Sequence, residues 1–105
     1  KTVCVVGAGP AGLSAIKELK VAGLEPTCID RNFSVGGRWS KSKKDGVGIW
    51  DELYLNLSRR WMEYSDFPWT EENVPKKYDD YAGLFAHHEE FRDYIEAYAN
   101  HFDLK

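Results

Sequence analysis

The chain has 105 residues, 43% of them hydrophobic and 30% charged, with a net charge of -3. A single domain of this size buries roughly 65% of the surface of its unfolded chain, which is enough for a core. The mild acidity argues against a nucleic-acid or membrane-surface partner, and no run approaches the ~20 apolar residues of a membrane helix.

In chain order, Val3-Cys4-Val5-Val6 marks an apolar strand over residues 2–6, of the kind found in parallel sheets covered on both faces. A glycine turn follows, with Gly7, Gly9 and Gly12 separated by Ala8, Pro10 and Ala11. The next segment, roughly 10–22, places Leu13, Ile16, Leu19 and Leu24 near helical spacing. Pro10 suits its first position, where a missing N–H costs nothing, and Gly23 is its stop. A second strand at about 26–30 ends in Asp30, which stands 18 positions after Gly12. Strand, turn, helix and strand form one right-handed crossover unit.

Each glycine has a separate physical task in that unit. Gly7 ends the strand in a tight turn, Gly9 leaves room for backbone to approach a pyrophosphate, and Gly12 lets the helix pack closely on the strand. The free N–H groups and positive dipole end of the helix attract phosphate. Asp30 is placed to accept hydrogen bonds from the ribose hydroxyls of an adenosine. A strand, this turn, a helix and a following acid together describe a dinucleotide site.

From 31 to 48 the chain turns polar, punctuated by Gly36-Gly37 and Gly46-Val47-Gly48; Arg38, Lys41, Lys43 and Lys44 read as solvated loop charge. All 4 tryptophans, Trp39, Trp50, Trp61 and Trp69, then fall within 39–69 beside Tyr54, Tyr64 and Phe67. Such a density either lines a ring-binding cleft or fills a subsidiary core, and composition favours the core. Residues 88–101 form the clearest amphipathic helix, with Phe91, Tyr94, Ile95, Tyr98 and Phe102 on one face and Glu89, Glu90, Arg92, Asp93 and Glu96 elsewhere.

The 2 cysteines, Cys4 and Cys28, fall in neighbouring strands as small buried hydrophobes, without metal or dithiol spacing. His87, His88 and His101 read as surface or cap histidines, so no metal site is expected. Asn32-Phe33-Ser34 and Asn56-Leu57-Ser58 match the glycosylation pattern by coincidence in a fold that points to a reducing, cytoplasmic setting. Two parallel strands and one crossover helix cannot cover both sheet faces. Residues 1–105 are therefore expected to be the opening portion of a larger domain, completed by further polypeptide or by another chain.

Three further motifs resemble the flavin-containing monooxygenases, which oxygenate nitrogen or sulfur with FAD, NADPH and dioxygen. They are Gly36-Gly37-Arg38-Trp39, the run Leu53-Tyr54-Leu55-Asn56 with Met62 and Ser65-Asp66-Phe67-Pro68 downstream, and the helix end Tyr98-Ala99-Asn100-His101-Phe102-Asp103-Leu104. The resemblance implies an α/β, Rossmann-like FAD-binding domain with a partial parallel sheet and an inserted aromatic-rich region, the NADPH-binding domain lying outside it. It implies that Gly7, Ala8, Gly9, Pro10, Ala11 and Gly12 cradle the FAD pyrophosphate. Asp30, with Arg31 beside it, would hold the adenosine ribose, and Gly37, Arg38 and Trp39 would lie along the flavin half.

The resemblance implies that Asn56 is the active-site residue, beside the flavin ring and the nicotinamide, and a neutral amide suits the dry site with few fixed hydrogen-bond partners that a hydroperoxyflavin needs; a turn or cap residue is the alternative reading. Leu55 departs from the small hydroxyl residue that many relatives carry there, and Arg38 from a common apolar residue. The implied function is oxygenation of a small-molecule soft nucleophile by the full protein, with this piece alone inactive. Ring-expanding Baeyer-Villiger and N-hydroxylating monooxygenases share the FAD motifs and remain alternatives, as does a non-catalytic nucleotide-binding fragment. Association with the endoplasmic reticulum would come through regions outside these residues.

Overall fold

The computed structural model describes residues 1–31, 34–40, 49, 52–78 and 84–104. Strand β1 is Thr2–Val6, helix α1 is Pro10–Val21 and strand β2 is Glu25–Ile29, with β1 and β2 paired in parallel from Thr2↔Glu25 to Val6↔Ile29. This is the expected crossover unit. A single 3-10 turn at Gly37–Trp39 follows, then the short helix α2 at Arg59–Met62 and the long helix α3 at His88–His101.

Both long helices end as their sequences dictate. At the end of α1, Gly23 takes φ +83°, the Leu24 N–H reaches the Leu19 carbonyl at 3.0 Å, and the Gly23 N–H reaches Lys20 at 3.0 Å. That pair of bonds is a Schellman motif, which satisfies two terminal carbonyls and needs a left-handed residue. Helix α3 closes the same way on Asp103 at φ +54°, with the Leu104 N–H on the Ala99 carbonyl at 2.8 Å. Asp103 supplies the left-handed residue there without being glycine, which a short polar side chain allows.

The sheet alternates as a half-covered surface rather than one covered on both faces. Val3, Val5, Pro26 and Cys28 are half-buried, while Thr2, Cys4, Val6, Glu25, Thr27 and Ile29 are exposed. Cys4 therefore corrects the expectation of two buried cysteines. Parallel register puts Val5 opposite Cys28 and Cys4 opposite Thr27, so the two thiols face opposite sides and only that of Cys28 packs against the core. No described residue covers the outer side, and Val6 is 80% exposed and Ile29 53%.

The core sits on α3. Phe91, Tyr94, Ile95, Tyr98 and Ala99 are buried there with Leu13 and Ile16 of α1, and with Leu55, Phe67, Val74 and Ala86. The aromatic-rich region fills core, as composition favoured, but it packs into this same cluster and not into a separate subsidiary one. Trp69 stacks on Tyr94 at 4.6 Å, Tyr64 on Tyr98 at 4.1 Å, and Trp39 meets Phe91 edge-on at 4.8 Å. Trp61, at 81% exposed, and Tyr54, at 39%, are the exceptions, and Trp50 lies outside the described residues.

Glu90 corrects the polar-face assignment, being only 1% exposed. It occupies the third position of α3 in a capping box: His87 Nδ1 accepts from the Glu89 N–H while Glu90 Oε1 accepts from the His87 N–H at 2.9 Å. The same carboxylate takes the Arg59 guanidinium at 3.2 Å and the N–H groups of Lys77 at 2.7 Å and Tyr78 at 3.3 Å. A buried charge is tolerated because every side of it meets a donor. His87 is thus a cap, as expected of these histidines, but a buried one.

Candidate functional site

Two glycine turns meet at the carboxyl ends of β1 and β2. The first is fixed by the Gly7 N–H, which donates to the Ile29 carbonyl at 2.8 Å and locks the strand ends together. Gly7 sits at φ +104°, in a region that side chains disfavour. A Cβ on Gly12 would lie 1.9 Å from the Gly7 carbonyl oxygen, so only glycine lets α1 leave the turn at this distance. The Gly7 and Gly12 tasks read from the sequence both have a geometric basis.

The second turn docks on the first. The Gly36 N–H donates to the Ala8 carbonyl at 2.8 Å, and a Cβ on Gly37, which has φ +61°, would come within 3.0 Å of the Gly9 Cα. Gly36, at φ +123°, is pressed against Ser40, whose hydroxyl lies 2.6 Å from that of Ser34. Backbone faces backbone between Gly9 and Gly37. No side chain intervenes in that contact.

Asp30 closes the arrangement at the end of β2. Its Oδ2 accepts from the Ala8 N–H at 2.7 Å, while the residue as a whole stays exposed. Ala8 is therefore engaged through both backbone polar groups and holds the shape of the turn. Donors remain at the start of α1, where the Ala11 and Gly12 amides lie in the first turn and have no intrahelical acceptor. The Gly9 cap has no side chain and no acidic residue occupies that turn, so the Asp30 carboxylate on the Ala8 N–H is the acidic group beside this positive dipole end. The arrangement offers an anion two backbone donors beside a carboxylate able to accept from hydroxyl groups.

These features fit the pyrophosphate and ribose of a dinucleotide. The turn exposes backbone, the glycines leave open the space a Cβ would take, and the acid lies at the second strand end. Cys28 sits beneath, its Sγ 3.6 Å from the Gly7 carbonyl. Burial raises its thiol pKa and the Asp30 charge adds to this, so it packs as a neutral group.

Arg31 and Arg38 are exposed, while the Trp39 side chain turns inward onto Phe91. Asn56 has a separate anchor. Residues 53–55 run beside the start of α3, with the Leu55 N–H on the Ala86 carbonyl at 2.8 Å and the His88 N–H on Leu53 at 3.0 Å. Leu55 is buried, and the chain then bends so that Asn56 is exposed. The structure brings together Gly7 to Gly12, Asp30 and Gly36-Gly37; Asn56 follows the segment 53–55 that runs beside the start of α3.

Sequence reasoning missed the part played by the Ser65-Asp66-Phe67-Pro68 motif. Asp66 pairs with Lys17 of α1 at 2.6 Å, and Phe67 is buried with its carbonyl taking the Tyr94 hydroxyl at 2.6 Å. The Tyr94 hydroxyl also accepts from the Tyr64 N–H at 2.8 Å, and the Tyr64 hydroxyl donates to the Pro10 carbonyl. Burial pushes the Tyr94 phenol up to about 12 and raises Tyr64 and Tyr98 as well. His87, His88 and Glu89 hold ligand-type atoms within 4.8 Å of one another, but the cap and the Tyr78 hydroxyl, 2.6 Å from Glu89, already use this group.

Comparison with known proteins agrees with this geometry. A family described as flavin-binding monooxygenase-like matches residues 1–105. The human protein named dimethylaniline monooxygenase [N-oxide-forming] 4 is 41% identical over 99% of this chain, and human flavin-containing monooxygenase 1 is 36% identical over the same share. The chain spans 18% of the length of each of these relatives. Among solved structures, S-allyl-L-cysteine S-oxygenase from Allium sativum superposes with a TM-score of 0.77 at 29% identity, covering 98% of this chain and 26% of that one.

Proposed function

The chain belongs to the flavin-binding monooxygenase-like family, and from that premise we propose that residues 1–105 form the FAD-binding opening portion of an NADPH- and dioxygen-dependent monooxygenase. The observation that carries this reading is the docking of Gly36-Gly37 on the Gly7 to Gly12 turn, with Asp30 fixed to Ala8. When bound, FAD would supply the redox chemistry, taking hydride from NADPH and activating dioxygen.

The chain's own residues bind and orient. The Ala11 and Gly12 amides would donate to pyrophosphate oxygens, Asp30 would accept from the ribose with Arg31 beside it, and Gly9 and Gly37 would keep side chains out of the approach. Ala8 and Pro10 fix the shape of the cradle. Arg38 and Trp39 would line the path toward the flavin, Trp39 through its backbone. Asn56 is the proposed polar partner at the reacting end, since its amide both donates and accepts without adding charge.

The substrate class is a soft nucleophile at nitrogen or sulfur. Relatives named for N-oxide formation and for S-oxygenation support it. The test is to give the full-length protein NADPH with a tertiary amine or a thioether and measure dioxygen uptake and product. One oxygen added per NADPH to the amine or sulfide is expected; NADPH oxidation without dioxygen uptake, or ester formation from a ketone instead, rejects the reading. Asn56→Ala should bind FAD within about threefold of wild type but release more hydrogen peroxide per NADPH consumed. Unchanged coupling removes Asn56 from the mechanism.

A further inference from the structure

The start of α1 is held by a contact that no glycine motif announces. The Tyr64 hydroxyl donates to the Pro10 carbonyl from 54 positions away. Its ring stacks on Tyr98 at 4.1 Å and runs beside Tyr94 at 6.0 Å, with interplanar angles of 29° and 22°. Its N–H is fixed by the Tyr94 hydroxyl, which is itself fixed by the Phe67 carbonyl. Two residues on, Asp66 grips Lys17 about two turns further along the same helix. Ring, backbone and hydroxyl of Tyr64 are thus each held.

The Pro10 carbonyl and the Ala11 N–H belong to one peptide unit. Helix geometry already gives this carbonyl one intrahelical donor, and a second donor polarises the peptide further. A polarised peptide donates more strongly through its N–H. The Ala11 amide is one of those left without an intrahelical acceptor at the mouth of the glycine turn. The Tyr64 phenol is protonated across the neutral range even at its ordinary value, and burial raises it further, so the donor persists.

Building on the FAD reading above, we propose that Tyr64 is a positioning residue for the cofactor pyrophosphate, acting through the Pro10-Ala11 peptide. It touches no cofactor atom itself. Its hydroxyl sets the direction and strength of the Ala11 donor and couples the aromatic layer on α3 to the anion site.

The test uses full-length protein freed of flavin, with FAD and ADP as pyrophosphate-bearing probes and adenosine as a probe without one. Tyr64→Phe keeps the stacking and the backbone bond to Tyr94 and removes only the hydroxyl. Affinity for FAD and ADP is expected to fall about fivefold while that for adenosine holds. Tyr94→Phe, which removes a hydroxyl that does not reach α1, should lower the melting temperature more and FAD affinity less. Loss of affinity in proportion to melting temperature across the two variants, or unchanged ADP binding by Tyr64→Phe, overturns the proposal. In the unmodified protein the Ala11 amide resonance should move on addition of ADP. An unmoved resonance overturns it even if Tyr64→Phe does not fold. A wild-type protein that binds ADP but no FAD rejects the flavin reading and leaves the Tyr64 contrast measurable with ADP, and one that binds neither overturns both.

Discussion

Alanine at Gly9 and alanine at Gly12 separate the ligand role of the glycine turn from its folding role. At Gly9 the backbone has φ -81° and ψ -172°, ordinary extended values, and an added Cβ would meet the Gly37 Cα at 3.6 Å, an ordinary contact. The unliganded fold should therefore change by no more than ~1 kcal/mol in either direction. The new methyl nevertheless occupies the approach between the two glycine turns. Displacing the pyrophosphate there would weaken one or two charge-assisted hydrogen bonds, about 2–4 kcal/mol in total, so FAD affinity should fall roughly 30- to 1000-fold.

At Gly12 the added Cβ would lie 1.9 Å from the Gly7 carbonyl oxygen and 2.9 Å from its carbon. Relief requires moving α1 off β1, an overpacking cost of about 3 kcal/mol or more. In a chain of this size that lowers the melting temperature by roughly 10 °C or more. Thermal melts of the flavin-free proteins, together with FAD titration followed by flavin fluorescence, read both effects. Gly9→Ala with wild-type FAD affinity, or Gly9→Ala melting as low as Gly12→Ala, would refute the division of labour.

Three other outcomes follow from the contacts. Asp30→Asn keeps an acceptor for the Ala8 N–H but loses charge and acceptor capacity toward a ribose, so FAD affinity should fall about tenfold with stability within ~1 kcal/mol; equal affinity argues against Asp30 as the ribose ligand. Glu90→Ala strands the buried His87 N–H and removes the partner of the part-buried Lys77 N–H and Arg59 guanidinium, and should cost about 3–5 kcal/mol by chemical denaturation, whereas a loss under ~1 kcal/mol would show that the carboxylate is dispensable. The Tyr94 phenol is raised to about 12 in the folded state, so its contribution is intact below pH ~10 and disappears as pH climbs from there toward 12, about 2–3 kcal/mol in all. Denaturant midpoints between pH 8 and 11.5 should fall less steeply in Tyr94→Phe; parallel slopes would contradict this.

The sequence resolves the site where its physics is local. Strand, glycine turn, helix and acid were legible because each glycine answers a constraint within a few residues, and the apolar stripe of α3 because packing follows helical period. Glu90 was misplaced because the same period assigns it to the polar side, while its capping box begins with His87, an unusual residue at a helix start. Cys4 was misplaced because an apolar strand reads alike whether one face or two are covered. The Tyr64 to Pro10 contact had no readable sign at all, since a bond across 54 positions leaves no periodicity. The Gly36-Gly37 pair was legible as a motif, but its docking on Gly9 became visible only in three dimensions.

The most direct measurement of the central claim is the cofactor content of the purified full-length protein. Its visible spectrum should show a bound flavin, one FAD per chain released on denaturation, and wild-type apoprotein should rebind it through the turn at Gly7 to Gly12. Protein that carries no flavin and takes up no FAD on reconstitution would contradict the assignment of this turn as an FAD site.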